Sequence, residues 1–131
     1  ELLRINAKYY SVDVTLRNLI VGNTSRDTGH ILENIVFLEL IRRGYTVYVG
    51  QLAKGEIDFV AINGRKKCFI QVAYYLAGKA TIEREFGAFK PISDASPKYV
   101  FSLDRFDYSR DGIAHINIVD FLLGKKDINL S

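Results

Sequence analysis

The 131-residue chain is 48% hydrophobic and 25% charged, with a formal net charge of +3; these are the proportions of one soluble domain able to bury a core of its own. No apolar run approaches the roughly 20 residues needed to span a bilayer and no signal-peptide pattern opens the chain, so the expected location is cytoplasmic, with no membrane partner. A lone cysteine, Cys68, excludes an internal disulfide framework, and +3 is too small a charge to establish a nucleic-acid partner unaided.

The chain contains no methionine, and Glu1-Leu2-Leu3-Arg4-Ile5 already reads as structured sequence, so a piece of a longer protein is expected. Residues 1–23 read as a connector from an upstream region, with strand-like content at 8–14 and a helical turn at 15–20. Residues 24–131 read as the domain proper. The strongest helix signal starts among the N-cap candidates of 24–28 and runs through Arg43 to a stop at Gly44. At about 100° per residue, its Ile31, Leu32, Ile35, Val36, Phe37, Leu38, Leu40 and Ile41 fall on nearly every side, which predicts a buried helix. Glu33 lies between Phe37 and Leu40 on that wheel, so its carboxylate should point into or along the core. β-Branched and aromatic content predicts strands at 45–49, 56–62 and 67–74, the last two joined by a tight turn at Asn63-Gly64. An amphipathic helix at 81–89, strands at 99–103 and 114–118, and a helical turn at 119–123 complete an α/β fold, a mixed sheet flanked by helices.

A two-residue turn at Asn63-Gly64 would pair Ile62 with Arg65 and set Glu56 opposite Gln71 and Asp58 opposite Phe69. Glu56, Asp58, Gln71 and Ala73 would then line one face, and Ile57, Phe59, Cys68, Ile70 and Val72 the other, apolar face. With Glu33 brought up from the helix, the polar set makes an oxygen-rich pocket suited to a hard divalent cation such as Mg²⁺ or Mn²⁺.

The order and these residues resemble the PD-(D/E)XK nuclease superfamily, whose core runs αβββαβ in a restriction-endonuclease-like architecture. The resemblance implies that Glu33 is the helix acid, Asp58 in Gly55-Glu56-Ile57-Asp58-Phe59-Val60 the strand aspartate, and Gln71 in Ile70-Gln71-Val72-Ala73 the third catalytic position. Glu56 is adjacent to the metal set. Ala73 stands where the superfamily carries a lysine, so the pattern is incomplete and slow or absent turnover is expected. More closely, the chain resembles the DUF4143 domain, the C-terminal part of a family of bacterial and archaeal AAA+ ATPases. The matching segments run from Lys8-Tyr9-Tyr10-Ser11-Val12-Asp13, through Gly29-His30-Ile31-Leu32-Glu33-Asn34 and Glu83-Arg84-Glu85-Phe86, to Asp111 through Leu122. This likeness implies an upstream ATPase domain as a partner in the same chain. ATP would bind there, since no G-x-x-x-x-G-K-[ST] loop occurs in this sequence.

The implied function is a nuclease-like, nucleic-acid-associated module with DNA as a partner; the alternative is a non-catalytic protein-interaction or structural domain coupled to the ATPase. Each residue also has a plainer reading. Glu33 satisfies backbone donors or reaches solvent, the Glu56/Asp58 pair is an exposed strand start, and Gln71 pairs across strands with Glu56. Lys54, Lys79 and Arg84 either replace the missing lysine charge or are solvated. Tyr74-Tyr75 stack a nucleobase or pack in the core. His30 assists Glu33 or caps the helix, His115 is structural, Cys68 is buried and inert, and Glu83-Arg84-Glu85 is a solvated face.

Overall fold

The computed structural model describes residues 4–6, 28–52 and 55–129. The strand and helical turn expected within 8–20, the N-cap candidates at 24–27, and Lys54 lie outside the described residues. The elements are β1 (Arg4–Asn6), α1 (Thr28–Arg42), β2 (Thr46–Leu52), β3 (Gly55–Asn63), β4 (Lys66–Val72), α2 (Lys79–Gly87), β5 (Lys98–Ser102), β6 (Ala114–Asn117) and α3 (Ile118–Leu122). They form one mixed sheet in the order β1-β2-β3-β4-β5-β6. Neighbours are antiparallel from β1 to β4 and parallel from β4 to β6. Five of the strands fall where the sequence predicts them. The sixth, β1, pairs along the edge of β2 within the segment read as a connector.

α1 covers one face of the sheet. Val36, Phe37 and Leu40 pack there with Phe59, Ala61, Cys68, Ile70, Val72 and Phe101, as the all-round apolar wheel requires. The helix stops as predicted: Gly44 takes a positive φ of 91°, its N–H reaches the Ile41 carbonyl, and the Tyr45 N–H reaches the Leu40 carbonyl. That is the paired closure of a glycine C-cap. α2 covers the other face, where Phe86, Phe89 and Ile92 pack with Ile57, Val60, Phe69, Leu76 and Val100.

Two local features of β3 correct the expected register. The turn residues are Gly64-Arg65, flanked by the pair Asn63 and Lys66, and only Gly64 has a positive φ (66°). This is the pattern with glycine at the first central position rather than a turn centred on Asn63-Gly64. Every β3 residue therefore meets a β4 partner two positions further along, Phe59 facing Ile70, and the ladder leads to Asp58 beside Gln71 instead of Glu56. Glu56 lies opposite Gln51 of β2 instead. The second feature is a bulge: Tyr48 pairs with Val60 but Gly50 with Ile57, so Asp58 and Phe59 together oppose Val49. A bulge resets the alternation of faces. Ile57 consequently packs with Val60 under α2, not with Phe59 under α1 as expected, and Asp58 is turned to the α1 side.

Candidate functional site

The carboxyl ends of β4, β5 and β6 share one edge of the sheet with the start of β3, and α1 and α2 bring Glu33 and Glu85 to it. At this edge the last rungs between β3 and β4 are made by side chains. The Asp58 N–H donates to Gln71 Oε1 at 2.7 Å, and the Val72 N–H donates to Asp58 Oδ2 at 2.9 Å. Gln71 Nε2 then donates across to Glu85 Oε2 on α2 at 3.2 Å. Both ends of the Gln71 amide are thus engaged. It braces Asp58 and Glu85 from a buried position, and it does not pair with Glu56.

Glu33 is 23% exposed and lies 3.5 Å from His30 Nδ1, one helical turn earlier. Glu85 is 12% exposed and meets the Arg84 guanidinium at 3.4 Å. Each therefore has an exposed basic side chain of its own helix beside it. Asp58 has none. Burial, then Glu33, then Glu85 and Glu56 push its carboxyl up to about 7 against the opposing Val72 N–H. Burial also raises Glu33, with Glu85 and Glu56 adding to the effect and His30 opposing it. Desolvation and like charge both disfavour the ionised carboxylate.

The structure thus brings together Glu33, Asp58 and Gln71, with Glu56 exposed at the margin. It adds Glu85, which the sequence reading left on a solvated face. Among the described residues, no three His, Cys, Asp or Glu side chains are drawn close enough to enclose an ion. The group supplies hard oxygen donors, the type that Mg²⁺ and Mn²⁺ prefer, but they are too far apart to enclose either ion as they stand. The position expected to hold lysine is closed: Ala73 is buried beside Leu76 and Phe86. Of the proposed substitutes, Arg84 stands at the site through Glu85, whereas Lys79 is paired with Glu83 at 3.9 Å.

A second polar group sits on the same edge. Ser102 Oγ lies 2.7 Å from His115 Nε2 and donates to Asp104 Oδ2 at 2.9 Å. His115 Nδ1 accepts the Tyr108 N–H at 3.3 Å, so the ring proton is on Nε2 and points at Ser102. Burial lowers the His115 pKa, consistent with this neutral form. The three residue types are those of a hydrolase triad, but the proton order is wrong for one: His115 gives a proton to the serine rather than taking one. Asp104 also accepts the Leu76 N–H at 2.6 Å. The trio ties the segment after β4 to the one after β5, in keeping with a structural His115. A cleft of about 640 Å³ lined by Phe86, Lys90, Lys98 and Arg110 opens near the opposite end of β5, and none of the acidic-site residues lines it.

The family model for DUF4143, a domain of unknown function, matches residues 28–122. The chain belongs to the DUF4143 family. An uncharacterised protein of Haemophilus influenzae is 38% identical over 122 residues, covering 92% of this chain and 30% of its own length. An uncharacterised protein of Methanocaldococcus jannaschii is 38% identical over 101 residues, covering 73% of this chain and 22% of its own. This DUF4143 chain therefore spans less than a third of either relative. No solved structure matches it. None of its described helices is long and apolar enough to cross a membrane.

Proposed function

We propose that this DUF4143 domain is a nuclease-like, nucleic-acid-associated module with a weakened metal-dependent phosphodiesterase site, working beside an AAA+ ATPase domain of a longer chain. The observation that carries the reading is the convergence of Glu33, Asp58 and Glu85 around the Asp58–Gln71 brace at the carboxyl end of β4. It is supported by the αβββαβ order running from α1 to β5 and by the greater length of the relatives. To hold Mg²⁺ or Mn²⁺, Glu33, Asp58 and Glu85 would have to close up around the cation, with Glu56 at the margin. When bound, such a cation polarises a phosphoryl oxygen and lowers the pKa of water. The chain's own part is positional: Val72 fixes one oxygen of Asp58, and Gln71 sets Asp58 and Glu85 in common register. With Ala73 in the lysine position, no side chain there steadies the charge of an attacking hydroxide, so turnover is slow.

The test is a cleavage and mobility-shift assay on single-stranded, duplex and branched DNA, with Mn²⁺ and with EDTA. Binding with slow Mn²⁺-dependent hydrolysis, lost in Asp58→Asn, is the expected result. Absence of both binding and hydrolysis in the native chain would overturn the reading. A second reading, a non-catalytic protein-interaction domain coupled to the ATPase, is favoured by one feature: Val119, Leu122 and Leu123 are exposed around α3.

A further inference from the structure

The same edge carries an aromatic surface that the acidic site does not use. Tyr74 and Tyr75 are 44% and 48% exposed. Their rings meet edge to face with centroids 4.6 Å apart, the edge of one covering a face of the other. The pair begins three residues beyond Gln71, where β4 runs off the sheet. Its backbone is not loose: the Ala73 N–H donates to the Phe101 carbonyl, the Leu103 N–H donates to the Tyr74 carbonyl, and the Leu76 N–H is held by Asp104. These bonds place the tyrosines beside the segment after β5, where Phe106 is 69% exposed and Arg105 is exposed in an ion pair with Asp120 at 3.1 Å. Lys79, exposed in the first turn of α2 and 3.9 Å from Glu83, follows Tyr75 by four residues. Exposed aromatics on a fixed backbone, flanked by cations and next to a carboxylate site, are what unpaired bases and their phosphates recognise.

We propose that Tyr74 and Tyr75, with Phe106 beyond them, form a stacking platform for the bases of single-stranded nucleic acid, with Lys79 and Arg105 meeting its phosphates. The proposal rests on the nucleic-acid reading of the adjacent acidic site and narrows it to unpaired strands. Stacking needs open ring faces, which an intact duplex does not offer to a side chain. Pinning the platform by these backbone hydrogen bonds lowers the ordering cost of binding.

The test is fluorescence anisotropy with a labelled oligo(dT) and with a duplex of equal length, in EDTA so that cation binding plays no part. The native chain binds the single strand in preference to the duplex. Tyr74→Ala and Tyr75→Ala each weaken binding roughly tenfold, the two Phe variants keep it, and Lys79→Gln with Arg105→Gln flattens its salt dependence. Circular dichroism identifies any variant that fails to fold, and the exposed Phe replacements keep the readout available. A duplex preference, equal binding by the Ala variants, or no oligonucleotide binding by the folded chain would overturn the platform. An added polypeptide displacing nothing but occupying the tyrosines, read by their own fluorescence, would assign the surface to a protein partner and overturn it as well. Loss of Mn²⁺ binding with oligonucleotide binding intact would instead remove the metal reading alone.

Discussion

Replacing Asp58 by Asn should change how stability depends on pH in a way that isolates one carboxyl. Folding lifts the Asp58 midpoint from 3.8 to about 7, and each tenfold in proton affinity corresponds to about 1.4 kcal/mol. A raised acid midpoint means that the folded chain binds the extra proton between about pH 4 and 7. Its contribution is therefore intact below about pH 4, falls as pH rises through that window, and is constant above it. The full product is roughly 4 kcal/mol, reduced to roughly 2–4 kcal/mol as the neighbouring carboxylates rotate toward solvent. An asparagine side chain keeps the shape and still offers an oxygen to the Val72 N–H, 2.9 Å away from Asp58 Oδ2 in the native chain, but it does not ionise. Urea unfolding of both proteins from pH 4 to 8 should show the Asp58→Asn variant gaining on the native chain across the window. Parallel curves would refute the argument that Asp58 is desolvated and surrounded by like charge.

Gln71→Leu removes the acceptor for the Asp58 N–H and the link to Glu85; a loss of about 1–3 kcal/mol in urea unfolding is expected, together with weaker Mn²⁺ binding. Cys68 is fully buried, and burial pushes its thiol up to about 12. A thiol reagent at pH 8 should leave the native chain unmodified and react once guanidinium unfolds it; rapid reaction of the native state would contradict the packing under α1.

Much of this architecture was legible because the relevant signals are local. The apolar wheel of α1 and the glycine after it specify a buried helix with a defined end, and Asp58 and Gln71 do meet, through the Asp58 N–H. What escaped depended on backbone detail with no residue-type signature. Asn63-Gly64 suits two different turns, and the one adopted moves Gln71 from Glu56 to Asp58. The β3 bulge changes the face of Ile57 with no Gly or Pro among the bulged residues themselves; its one sign is Gly50 across from it, which reads in the sequence as the end of a strand. Glu85 did have a signal: at about 100° per residue it falls within about 60° of both Ile82 and Phe89, on the margin of the apolar stripe. Its charged neighbours Glu83 and Arg84 obscured that position. β1 is three residues long, and its place comes from pairing with β2 alone.

A divalent cation held by the carboxylates around Asp58 is what the proposed phosphodiesterase site requires. Calorimetric titration of Mn²⁺ into the native chain at pH 8, beside Asp58→Asn, tests it most directly. One site with heat and saturation in the native chain, absent from the Asp58→Asn variant, is the predicted result. No heat at millimolar Mn²⁺, or the same isotherm in both proteins, would contradict it.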